Sequence, residues 1–261
     1  MNSLRALYPA AEAIARRPVA TLLLLAAALT PLLVASTGVR PDNSLASWFV
    51  AGDPALERYE AFLGEYGSDE AILVGFDVPE GAHSPEGIAL QRRIAARLGE
   101  VDGVARVMAG GELPPPLARG LVAADGRAAA VVAWMDVRDD IGDVRGRIIE
   151  DVRKDVGAEL DPLGRTAHFA GNGVLYEGLN QQTMRDTGVF LSLALVVMVV
   201  LLRIGLGSMR AVAFALGAPL LASMAAIGVL GLSGRPFTVV GSALPTLVLV
   251  IALPDAIHVL L

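Results

Sequence analysis

The sequence predicts an α+β membrane protein, with four transmembrane helices and one folded extracytoplasmic domain between the first and the second. Three observations predict it. Four uncharged runs cover residues 18–39, 187–202, 211–234 and 236–254. Charge is segregated: residues 37–186 hold 15 of the 21 basic and 25 of the 27 acidic side chains, a net −10, against +4 for the remainder. That charged stretch also carries strand and helix patterns in alternation.

A spanning helix needs about 20 apolar residues, within a range of about 17–25. Three runs satisfy this directly. The run at 187–202 is short, but Arg203 can snorkel and the apolar sequence resumes at Ile204. Composition agrees without locating anything: 54% of the 261 residues are apolar, against about 45–50% in a soluble domain, and the mean hydropathy is +0.57. The chain has no cysteine, which excludes disulfides, thiolate metal sites and thiol catalysis. A net charge of −6, with −10 on residues 37–186, argues against nucleic-acid binding.

The first run follows Arg16 and Arg17, as a secretion signal would, and residues 35–38 read as a small-residue cleavage site. Its apolar core over 19–35 exceeds the usual signal core of about 7–15 residues, so an uncleaved span is expected. Arg5, Arg16 and Arg17 precede it, and Arg203 and Arg210 flank the short loop between the second and third spans. The positive-inside rule puts both groups in the cytoplasm. The expected layout is therefore a cytoplasmic N-terminus at 1–17, spans at 18–39, 187–204, 211–232 and 243–261, a cytoplasmic loop at 205–210 and an outer loop at 233–242. Residues 40–186 then lie on the periplasmic side of an inner (plasma) membrane that the chain crosses several times.

Within 40–186, residues 44–54 read as an incoming loop. Leu56, Tyr59 and Leu63 recur at helical spacing over 55–66. Residues 71–78 are strand-like in their apolar and β-branched content, and Pro79 to Gly81 end the strand. Ser84 caps a helix with Pro85 at its first position and an apolar face ending at Leu98. A short strand follows at 103–108, then a loop at Pro114, Pro115 and Pro116. Residues 121–123 and 130–136 read as the arms of a hairpin about the Asp125-Gly126 turn. A second amphipathic helix spans 141–160, a closing strand 166–170, and a helix from Val174 to Asp186 leads into the second span. Strand, helix, strand, strand, helix, strand is the ferredoxin-like (βαββαβ) order. In the third span Ala218, Ala222 and Ala226 recur at four-residue spacing, either a close-packing face or plain alanine abundance.

Asp255 and His258 are the candidate functional residues. A carboxylate inside an apolar run costs roughly 2.5–3.5 kcal/mol by insertion scales, so a membrane helix that keeps one is expected to use it. On a helix the two are i,i+3 neighbours on one face, a pattern suited to a proton relay. Two placements stand. If the fourth span begins at Phe237, Asp255 is interfacial. If it begins near Ala243, Asp255 is about 18 Å along, near mid-bilayer. His83 and His168 are isolated from other ligand types, so no metal site and no cofactor are expected. Trp48, Phe49 and Trp134 read as core or loop anchors, and the charge clusters at 138–140 and 151–155 as solvated faces. Nucleophile-elbow, phosphate-loop and zinc-protease motifs are absent, so an enzyme is not expected.

One span, a large βαββαβ outer domain and then a tight group of spans resembles the N-terminal half of a resistance-nodulation-division (RND) exporter. The closer likeness is to the MMPL-like branch, which also contains lipid exporters. Asp255, Ala256, Ile257 and His258 resemble that branch's fourth-span signature, and residues 171–175 followed by Asp186 are similar to its porter-domain exit. The resemblance implies proton-motive-force-driven export of hydrophobic or lipid-like compounds. Asp255 would load and release the proton beside His258, and residues 40–186 would form a porter domain. Partners implied are the lipid bilayer, the substrate and protons. Leu253 and Pro254 depart from the pattern and leave no paired carboxylate. Family members carry about twelve spans in two repeats. The chain is therefore expected to be a fragment, completed by a missing C-terminal half or a homo-oligomer. The alternative is a sterol-sensing-like lipid sensor, or a structural subunit, without transport.

Overall fold

The computed structural model describes residues 16–50 and 52–260. Residues 1–15, most of the expected cytoplasmic N-terminus including Arg5, lie outside the described residues, as do Ala51 and Leu261, the last residue of the expected fourth span. The chain divides into two compact units. Asp42–Gln182 forms one, and the residues up to Pro41 together with those from Thr183 onward form the other.

The helical unit begins with α1 (Pro18–Ser36), where Pro18 occupies a first-turn position that has no need of an N–H donor. Thr30 Oγ1 donates to the carbonyl of Ala26 (2.7 Å) beside the internal Pro31.

The α/β unit opens with a 3₁₀ turn (Leu45–Trp48), then α2 (Pro54–Tyr66), whose Asp53 cap accepts from the Ala55 amide. Next come β1 (Ala71–Asp77), α3 (Pro85–Glu100), β2 (Val104–Ala109), a single helical turn α4 (Pro115–Ala118), β3 (Ala128–Met135), α5 (Ile141–Leu160) and β4 (Ala167–Ala170). The sheet order is β2-β3-β1-β4 and every neighbouring pair is antiparallel. Residues of period two on β1 (Ile72, Val74, Phe76) and β3 (Ala129, Val131, Ala133, Met135) are buried with Leu90, Ile94 and Leu98 of α3 and Ile148, Val152 and Val156 of α5. One face of the sheet thus carries the core, and the two long amphipathic helices cover it.

Two local readings change. The three prolines at 114–116 start a helical turn instead of a plain loop. This in turn spoils the first arm of the expected hairpin. The carbonyl of Ala118 takes the amides of both Leu121 and Val122 (2.8 Å each), so only an isolated bridge from Val122 to Ala129 remains. The Asp-Gly turn itself forms: Asp125 Oδ1 accepts from the Arg127 amide and Gly126 has φ +70°.

Gly171 ends β4 at φ +103°, and a Cβ there would lie 2.2 Å from the Ala71 carbonyl oxygen. Only glycine fits that junction. Beyond it the second expected span is part of one continuous helix, α6 (Asn172–Leu206), followed by α7 (Met209–Leu232), a 3₁₀ turn (Gly241–Ala243) and α8 (Leu244–Leu260). α1, α6, α7 and the segment Gly241–Val259 are each long and apolar enough to cross a membrane, making this a multi-pass membrane protein.

The alanine stripe is not the packed face of α7, since Ala218 and Ala222 are exposed. The close approach belongs to Gly228 and Gly231, where added Cβ atoms would meet the carbonyl oxygens of Leu32 (2.0 Å) and Ala35 (2.7 Å) of α1. On its other side α7 meets α8: Ser223 Oγ donates to the Pro245 carbonyl (2.6 Å, buried), and Leu253 and Ile257 pack on Leu202, Val212, Ala215 and Leu216.

Candidate functional site

α8 starts at Leu244 because the preceding residues are used otherwise. Phe237, 5% exposed, donates its amide to the Arg40 carbonyl (2.9 Å), and Pro41 and Phe237 form a parallel bridge. Thr238 Oγ1 accepts from the Gly241 amide to begin the 3₁₀ turn. Asp255 is therefore eleven residues into the α-helix, about 17 Å along its axis at 1.5 Å per residue.

Pro245, Leu249, Leu253 and Ile257 form the inner stripe of α8. Pro254, Asp255 and His258 lie on the opposite, exposed side with Val250 and Ile251. The i,i+3 spacing thus brings Asp255 and His258 to one face. The Asp255 side chain has no ion pair or hydrogen bond among the described residues. Pro254 has no N–H, so the Val250 carbonyl loses its helical donor one turn before the carboxylate. The helix continues through it to Leu260.

The other two histidines belong to the α/β unit. His83 Nδ1 is 3.2 Å from the Gly111 carbonyl oxygen, and His168 is exposed on β4. Trp134 lies under the Arg106 guanidinium (4.1 Å to the ring centroid), while Trp48 is 55% exposed and donates from Nε1 to the Asn43 carbonyl (3.5 Å).

Sequence reasoning missed a second polar centre, built around Arg145. Its side chain is fully buried and forms a bidentate pair with Glu70 (Nε–Oε2 2.6 Å, Nη2–Oε1 2.7 Å). Nη1 is 3.5 Å from Asp42 Oδ1 and makes no hydrogen bond among the described residues. The guanidinium lies 5.6 Å from the Tyr176 ring centroid. Burial works against its charge, but the Glu70 hydrogen bonds and the charges of Glu70 and Asp42 outweigh it and hold the pKa above the ordinary arginine value. Beside it, Asn180 Oδ1 accepts from both the backbone amide and Nδ2 of Asn43, each at 2.9 Å and buried. The signal was legible: Arg145 falls in phase with Ile148, Ile149, Val152 and Val156, the buried stripe of α5.

These features define a class, a multi-pass membrane protein with an inserted α/β domain and one unpaired carboxylate on a late apolar helix. The chain belongs to the MMPL family, whose model matches residues 57–254. That family is one of RND-type membrane transporters. The match begins within α2 and ends at Pro254, so Asp255 and His258 lie directly beyond it. A search of curated proteins gave no match.

Proposed function

We propose that this chain is part of a proton-motive-force-driven transporter that exports hydrophobic or lipid-like compounds, with Asp255 as the proton-carrying group and His258 as its relay neighbour. The observation that carries this reading is the placement of Asp255 and His258 on one exposed face of α8, a helix otherwise free of formal charge. A helix start at Leu244 supports a mid-bilayer depth for Asp255 over an interfacial one. Pro254 removes the usual i+4 donor to the Val250 carbonyl next to it, which supports a polar spot where water would lower the cost of the ionised form.

Asp42–Gln182 is read as a ferredoxin-like porter domain on the periplasmic side of the inner membrane. The strand order β2-β3-β1-β4 supports the first part of that reading. Arg16 and Arg17 before α1, with Arg203 and Arg210 at the α6–α7 turn, support the second. Asp255→Asn in the full-length protein is expected to abolish gradient-driven export of a fluorescent lipid-like substrate from membrane vesicles while leaving its abundance unchanged. Export that survives the substitution removes Asp255 from the mechanism. Substrate binding with no dependence on the proton gradient would instead favour a lipid sensor.

A further inference from the structure

The loop ahead of α2 presents apolar side chains that the α/β unit leaves uncovered. Residues 43–52 carry no charge, between Asp42 and Asp53. Within them Leu45, Trp48 and Val50 are 40%, 55% and 60% exposed. Elsewhere on the unit, the exposed Phe62, Tyr66, Val137 and Leu163 each have a charged residue within two positions. Scattered apolar side chains of that kind are ordinary surface, whereas an apolar cluster without charge marks a contact.

The base of the loop is fixed. Asn43 and Ser44 are buried; Asn43 donates its amide and Nδ2 to Asn180 Oδ1, and Ser44 donates its amide and Oγ to Asp42 (3.0 Å each). The tip is satisfied from within. The amides of Ser47, Phe49 and Asp53 donate to the carbonyls of Ser44 (3.1 Å), Ala46 (3.2 Å) and Val50 (3.0 Å), and Trp48 Nε1 donates to the Asn43 carbonyl. Leu45 and Trp48 are i,i+3 neighbours on the 3₁₀ turn, so their side chains share one edge. Such a tip can leave water at little polar cost, because its donors keep their partners. Only residues 37–44 separate the turn from the end of α1, a helix long and apolar enough to cross a membrane. A connection of that length spans at most about 30 Å when fully extended, so the bilayer surface is within reach. Tryptophan is also a residue that gathers at the membrane–water interface, its ring in lipid and its N–H on a polar partner.

We propose that residues 45–50 form an interfacial lipid-binding loop, with Leu45, Trp48 and Val50 entering the headgroup–acyl boundary of the bilayer that α1 crosses. The inference goes beyond the transport reading and stands whatever Asp255→Asn does to export.

The chain has two tryptophans, so Trp134→Phe leaves Trp48 as the sole indole emitter. The full chain carrying this substitution is placed in nanodiscs of phosphatidylcholine, either plain or brominated near the glycerol end of one acyl chain. Trp48 emission is expected to be blue-shifted and to fall about twofold in the brominated lipid, as an apolar face buried about 5–10 Å into that boundary requires. Water-like emission without quenching overturns the proposal. So does blue-shifted emission without quenching, because protein, a partner or a second copy, would then cover the indole. Adding Leu45→Ser and Val50→Ser should weaken the quenching; unchanged quenching would reduce the contact to Trp48 alone and overturn the loop as a unit. Should Trp134→Phe fail to fold, the difference in quenching between the parent chain and Trp48→Phe isolates the same signal.

Discussion

Arg145 and Asp255 are both charges set among apolar side chains, and the two units treat them in opposite ways. Arg145 is fully buried and is met by a bidentate carboxylate, a second acid and an aromatic ring. Asp255 is exposed on an apolar helix and has no ion pair among the described residues. A compensated charge in a core is a structural element, because its proton is held and its geometry is fixed. An uncompensated carboxylate on an apolar membrane helix carries a desolvation cost with no partner to offset it, and the role proposed above for Asp255 rests on that contrast. The packing of the two units differs in the same sense. The α/β unit buries side chains around a sheet, whereas α1 meets α7 backbone to glycine, with no buried side chain of its own.

The largest effect is expected at Arg145. Arg145→Ala leaves Glu70 buried without its partner and is expected to destabilise the α/β unit by about 3–5 kcal/mol, read as a lowered thermal midpoint in detergent. Replacing both partners at once, Arg145→Met with Glu70→Leu, should cost much less, and an equal loss in the two cases would show that the ion pair itself supplies the stability. Next in size is the glycine contact. Gly228→Leu places a side chain where even a Cβ would lie 2.0 Å from the Leu32 carbonyl oxygen, so α1 must move away from α7 at a cost of about 1–3 kcal/mol. A cysteine pair across α1 and α7, in a chain with no native cysteine, should then cross-link poorly, whereas Ala222→Leu on the exposed side should leave it unchanged.

The smallest effect sharpens the view of surface charge. Hydrogen bonds from Arg93 and then Arg97 hold the Glu159 carboxyl below its ordinary range against the opposing pull of burial. A lowered folded-state pKa contributes stability that is present above the unfolded value and is lost as pH falls through the folded one. Glu159→Gln should therefore reduce stability near neutral pH and flatten its acid-side decline, by less than about 1 kcal/mol because both arginines are half-exposed. Midpoints measured from about pH 7 down to about pH 3 check the slope.

Most of the architecture was legible because period and punctuation are local signals. Ser84 with Pro85 marks the start of α3, and the structure shows Ser84 Oγ accepting from the Gly87 amide. The helix at 141–160 has the same bounds in both readings. What failed was decided by donors already in use. Leu121 and Val122 look like a strand arm until Ala118 takes their amides. Of the two readings open for Ala218, Ala222 and Ala226, plain alanine abundance stands, because Ala218 and Ala222 are exposed and Gly228 and Gly231 make the close approach to α1. Of the two polar centres, Asp255 was conspicuous because it interrupts an uncharged run. Arg145 was hidden among 15 basic residues of a charged domain, and only its phase on α5 set it apart.

The junction at Gly171 has a consequence for biosynthesis. β4 pairs with β1, so Gly75 must wait for His168 to leave the ribosome before the sheet can close. Two residues after β4 the chain enters α6, which runs without a break into an apolar membrane-spanning sequence. Sheet closure and delivery of the second hydrophobic segment to the insertion machinery thus fall in the same short interval of translation. Delayed pairing at Gly171 would hand the membrane a helix whose upstream domain is still an open three-stranded sheet.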